Sequence, residues 1–182
     1  FFFFFFFFLV FKKKEKTTKN IVKEYVNKAD KYSKQKGKQN LAISYINKAI
    51  SLQPKNRNLH YKRAHILGRV GLYQDAIKAF TPFVESKEFP HAVRFRADCY
   101  LALDMYLRAA KDYAAFLRSQ PSDGKVWSYL AETLALMGDK QSALKAIQKG
   151  LTTDSHWSNR LRQLQNKIVM GEKIIPHRPL SN

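Results

Sequence analysis

One motif returns along this chain every 33 or 34 residues, and a period of that length constrains the architecture before any other feature is considered. The segment Leu41 to Pro54 aligns with the stretch beginning at Asp75, with Ala109 to Pro121, and with the stretch beginning at Ser142. Its anchoring alanines, Ala42, Ala76, Ala109 and Ala143, are spaced 34, 33 and 34 residues apart. Five residues before three of them stands a glycine (Gly37, Gly71, Gly138), and Asp104 holds the same place before the fourth. Tyr73 and Tyr106 follow that position in the middle units, and Pro54 and Pro121 close the first and third.

Apolar residues recur at helical spacing on both sides of the Gly or Asp position, so each unit is expected to hold two helices of about 13 residues. In the second unit the expected pair is Leu59 to Val70 and Gln74 to Glu85. Small residues on the first helix (Ala64, Ala97, Ala131) let it approach the second where Ala76, Ala109 or Ala143 stands. Glycine permits the left-handed turn that ends the first helix, and proline stops the second.

These residues resemble the tetratricopeptide repeat (TPR) family, whose 34-residue unit has small and aromatic residues at fixed places, Gly before its second helix and Pro near its end. The third unit supplies Ala97, Tyr100, Tyr106, Ala109, Tyr113 and Pro121, and the fourth Trp127, Leu130, Ala131, Leu134, Gly138 and Ala143. The resemblance implies an all-α fold, a right-handed superhelix of about four helical hairpins plus a C-terminal capping helix. The units are expected at 23–56, 57–89, 90–123 and 124–155. Ser33 stands where an aromatic is usual, the second unit lacks the closing Pro, and Gly150 and Ser155 replace Ala and Pro in the fourth. Atypical end units suit an array whose termini face water. Trp157, Leu161, Leu164 and Ile168 then fall on one helical face, predicting a capping helix over 156–170 and a flexible tail over 171–182.

The chain has 182 residues and a formal net charge of +19, with ten basic against three acidic residues in positions 1–36 alone. A single cysteine excludes a disulfide framework, and without a complete secretory signal the expected location is intracellular, in the cytoplasm. Positions 1–11 contain nine of the fourteen phenylalanines and no polar side chain, and 12–22 form a basic segment. The start is expected to be a fragment stub or a gene-model artefact. The alternative is the stub of a membrane-spanning helix flanked by Lys12, Lys13, Lys14 and Lys16, since cytoplasmic flanks are rich in Lys and Arg.

Catalytic chemistry finds no foothold. Gly37-Lys38 lacks the upstream glycine and downstream Ser/Thr of a phosphate loop. His60, His65, His91, His156 and His177 never show metal-site spacing, and Cys99 falls where a small core residue belongs. A non-enzymatic protein needing no metal or cofactor is expected.

The resemblance implies that first helices line a concave groove, to which the units contribute Asn27, Lys28 and Lys31; Tyr61, Lys62, His65 and Arg69; His91, Arg94, Phe95 and Asp98; and Lys125, Tyr129 and Glu132. Such a lining suits an extended segment carrying carboxylates or phosphates. The expected role is a protein-interaction scaffold for acidic peptides. The clamp by which some TPR domains hold the C-terminal carboxylate of chaperones is disfavoured, because Asn27, Lys31, Lys62, His91 and Phe95 occupy its places. The alternative is a basic accessory protein binding nucleic acid non-specifically, or an anionic membrane surface, through Lys12 to Lys38. No polar pair repeats at one position of every unit, as a base-reading code requires.

Overall fold

The structure is a computed structural model that describes residues 2–176, with side chains from residue 16 onward. Residues 177–182 of the expected tail lie outside the described residues. The described chain is all-helical, as the repeat period predicts, and consecutive helices pack against one another within each of two compact units that meet in sequence at Val70 and Gly71. No described helix is long and apolar enough to cross a membrane.

The first unit contains α1 (Phe2–Ser33), α2 (Gln39–Leu52) and α3 (Arg57–Arg69). Helix α1 passes without a break through the Phe-rich start and the basic segment into the first repeat. Val22 and Ala29 of α1, Ala42, Ile46 and Ala49 of α2, and Leu59 and Ile66 of α3 form one buried cluster. Tyr32 stacks on Tyr45 at 5.6 Å between centroids and so seals the α1–α2 contact.

The second unit contains α4 (Tyr73–Ser86), α5 (Ala92–Ala102), α6 (Tyr106–Ser119), α7 (Gly124–Leu136) and α8 (Lys140–Thr153). A 3-10 turn at Ser155–Trp157 then leads into α9 (Ser158–Met170). Its core holds the small residues of both helix types, Ala97, Ala109, Ala131 and Ala143, with Tyr113, Phe116, Val126, Ile147 and Leu161 wedged between them. Leu161, Leu164 and Ile168 bury the inner face of α9, so the last hairpin is covered.

Local chemistry explains where the helices stop. Gly37, Gly71 and Gly138 adopt positive φ (78°, 87° and 84°), and Asp104 adopts the same left-handed region at 57°. Asp tolerates it because its short side chain can bond locally, here by accepting from the Tyr106 hydroxyl at 2.9 Å. Asp123 and Asp139 cap α7 and α8 by accepting from the backbone N–H three residues on, each at 3.0 Å. The closing prolines have a second use. Pro54 O lies 2.7 Å from His60 Nε2, and Pro121 O accepts from Trp127 Nε1 at 2.8 Å, so each proline carbonyl meets the ring nitrogen six residues later.

Candidate protein-docking face

The fourteen candidate residues divide between the two units, and the structure commits many of them to partners inside their own unit. In the first unit Asp30 of α1 receives two cations from α3: Lys62 Nζ at 2.7 Å and Arg69 Nη1 at 3.3 Å. Arg69 also donates to Ser33 Oγ at 2.8 Å, and the Ser33 hydroxyl in turn donates a hydrogen bond to the Asp30 backbone carbonyl at 2.8 Å. Both acceptors come from the repeat preceding α3. Lys28 pairs with Glu24 at 2.6 Å and lies 5.4 Å from the Tyr45 ring centroid. The bond to Glu24 holds the Lys28 ammonium above its ordinary pKa. Tyr61 meets His65 edge-on at 4.8 Å, while Asn27 and Lys31 are exposed. This face is thus less positive than its list of lysines suggests.

In the second unit α5 presents Arg94, Phe95 and Asp98, α7 presents Lys125, Tyr129 and Glu132, and α6 contributes Tyr113. Asp98 is 2% exposed and accepts a hydrogen bond from Tyr113 Oη at 2.7 Å. Burial raises its carboxyl to about 6, against the opposing attraction of Arg94, the Tyr113 hydrogen bond and Lys125. Burial likewise pushes the Tyr129 phenol up to about 12, with the Asp98 charge adding to the rise. Tyr113 and Tyr129 lie 5.9 Å apart between centroids, so the hydroxyl-bonded core of α6 continues into α7.

Cations cover this floor. The Arg94 guanidinium carbon is 4.2 Å from the Phe95 centroid, and Arg94 Nε is buried with no hydrogen-bond partner. Lys125 Nζ lies 5.8 Å from the Tyr129 centroid and 5.9 Å from that of Trp157. Glu132 is 4% exposed and is bonded by Arg160 Nη2 at 2.6 Å, while Arg160 Nε reaches Ser128 Oγ at 3.1 Å. His91, at the N-terminal edge of α5, is exposed, with its ring 5.4 Å from that of Phe116.

Sequence reasoning missed Asp30, Trp157 and Arg160. Trp157 and Arg160 belong to the turn and helix beyond the repeats, yet they occupy the same side as Lys125 and Tyr129. Tyr129 and Glu132 sit too deep to present their full side chains. A ligand at this face would meet Arg94, Phe95, Lys125, Trp157 and Arg160. Among the described residues no three His, Cys, Asp or Glu side chains gather as a metal site, and the buried Cys99 thiol is raised by desolvation, which suppresses the nucleophilic thiolate.

Two stretches, residues 24–56 and 100–156, match the family described as Tetratricopeptide repeat. No curated protein matches the chain in sequence. Solved structures do match, among them one described as "Crystal structure of MamA protein", with a TM-score of 0.63 and 18% identity. That similarity covers 82% of this chain and 87% of the other. At such low identity it bears on the fold alone.

Proposed function

The chain belongs to the tetratricopeptide repeat family, and from that premise we propose that it is a non-enzymatic scaffold binding an acidic partner segment on the α5–α7 face of its second unit. The observation that carries this reading is the pairing of each cation with an aromatic surface. Arg94 lies over Phe95, and Lys125 lies between Tyr129 and Trp157. A carboxylate arriving there gains charge-assisted hydrogen bonds from groups whose apolar stems are already held. Its neighbouring apolar atoms gain ring area. The net positive charge also speeds encounter with acidic partners.

The reading is tested by capture from cell lysate with the full chain, with nuclease treatment at low and moderately high salt, comparing wild type with Lys125→Glu and Arg94→Gln. Proteins retained by wild type at the higher salt and lost by both variants, whose helicity stays unchanged, support it. Equal retention by all three removes the face assignment.

A second reading rests on α1, where exposed Lys16, Lys19 and Lys23 recur at spacings of three and four and so share one side of a helix. Such a stripe suits loose contact with phosphates of nucleic acid or anionic lipid. Retention of nucleic acid alone in the same experiment, lost steeply as salt rises, favours this reading over the first.

A further inference from the structure

The second unit holds an opening away from the residues discussed above. Phe83, Val84 and Lys87 at the end of α4, Phe89 and Pro90 of the following turn, Val93 of α5, and Ala115, Arg118 and Ser119 of α6 enclose about 550 Å³. That volume lies within the range of formed ligand sites, roughly 300 to 1,000 Å³.

Its origin can be read in the chain. The second repeat is the one whose anchoring alanine is followed by the next after 33 residues instead of 34, and it lacks a closing proline. Where Pro54 and Pro121 bring a carbonyl to a ring nitrogen, this unit has an abrupt stop. Lys87 takes a left-handed conformation, φ 57°, and ends α4. Phe89 then turns back onto Phe83, ring edge to face at 5.0 Å. Pro82 sits inside α4 and removes one backbone donor, while Thr81 Oγ1 donates to Ile77 O at 2.8 Å. Helix α4 is as long as α2, α6 and α8, and it is the turn from Lys87 to His91 beyond its end that leaves apolar side chains of three helices around an open space.

The lining is mostly apolar and has only cations, Lys87 and Arg118, among its charged residues. Exposed Glu85 and Glu88 are neighbours in sequence but not part of the lining. We infer that this pocket is a second docking site, taking a partner segment in which an apolar side chain stands next to a carboxylate. The apolar side chain fills the space over Phe83 and Val93, and the carboxylate meets Arg118 and Lys87. Charge selects against the other occupants. The Phe-rich start of this chain is followed at once by Lys12, Lys13 and Lys14, and a second copy would bring +19 against +19. An acidic partner meets no such repulsion.

The test is fluorescence anisotropy of the full chain with a fluorescein-labelled short peptide alternating Leu or Phe with Asp or Glu. A second peptide with Lys at every acidic position is the control. Ala115→Glu places a charge inside the pocket, and Arg118→Glu reverses an exposed rim charge with little risk to folding. The expected result is binding of the acidic peptide, weakened about tenfold or more by either variant, left in place by the same charge reversal at exposed Lys145 of α8, Lys145→Glu, and absent for the lysine peptide. Failure of the acidic peptide to bind wild type, equal binding by wild type and Arg118→Glu, or a loss produced by Lys145→Glu instead would each overturn the proposal. So would self-association by light scattering that Ala115→Glu abolishes, because the occupant would then be a second copy.

Discussion

Tyr113 of α6 gives its hydroxyl hydrogen bond to Asp98 of α5 across 2.7 Å, with both side chains buried. Burial raises the Asp98 carboxyl from 3.8 to about 6, while Arg94 and Lys125 oppose the rise and Asp123 adds to it. The folded state therefore holds this proton more tightly than the unfolded chain does. The stabilisation from Asp98 is fully present below pH about 4 and is lost as pH rises through 6. Urea melts of wild type and Asp98→Asn across pH 4 to 7 should diverge, with wild type losing on the order of 3 kcal/mol relative to the variant over that window. Parallel pH curves for the two proteins would refute this assignment.

Gly150 stands where the family pattern has Ala, and packing gives the reason. A Cβ there would lie 2.9 Å from Trp127 Cβ and 2.8 Å from Leu161 Cδ1. The leucine methyl can move, but the tryptophan Cβ is fixed by its helix. Gly150→Ala gains up to about 1 kcal/mol of helix propensity and loses about 1 to 3 kcal/mol to overpacking. A net fall in melting temperature is expected, and a rise would show that α9 yields freely.

Arg96 and Asp112 form a two-pronged ion pair between α5 and α6, Nε to Oδ2 at 2.7 Å and Nη2 to Oδ1 at 2.9 Å. The hydrogen bond that Arg96 donates to Asp112 is the leading reason that the Arg96 pKa is raised. Both side chains are largely buried, so removing one partner strands the other. Arg96→Met should cost about 3 kcal/mol, whereas Arg96→Met with Asp112→Leu should recover most of that loss. Chemical denaturation of both variants decides it. A double variant as unstable as the single one would show that the pair does more than satisfy its own members.

Lys87 carries its side chain at φ 57°, where a non-glycine residue is strained by roughly 1 kcal/mol. Lys87→Gly is expected to raise stability by up to about 1 kcal/mol in a denaturant titration. A loss of stability instead would mean that the lysine stem contributes packing at the end of α4.

What the sequence disclosed and what it hid separate along physical lines. The turn positions were legible, since Gly37, Gly71, Gly138 and Asp104 all take the left-handed conformation that their spacing predicts. Ala97, Ala109, Ala131 and Ala143 were legible as core for the same reason: backbone geometry and close packing recur with the period. Pairing between polar side chains does not recur. Arg69 reaches back to Asp30 and Ser33, and Arg160 to Glu132 and Ser128, across 28 to 39 residues. Those separations approximate one repeat, because successive first helices are neighbours, as α1 and α3 or α7 and α9 are. A periodic reading assigns every such residue the same outlook. It therefore counted Lys62 and Arg69 as available charge, although Asp30 had already engaged both. Unit-specific chemistry of this kind becomes visible only when two adjacent repeats are seen side by side.

Helix α1 is 32 residues long without interruption, about 48 Å at the usual rise. Val22 and Ala29, seated in the first unit's core, fix its rotation about its own axis. The lysines at 16, 19 and 23 accordingly point as a fixed compass bearing points, with no joint between them and the packed helices. A surface that engages those three lysines would set the heading of the first unit along with its position, as a keyed shaft orients the wheel it carries.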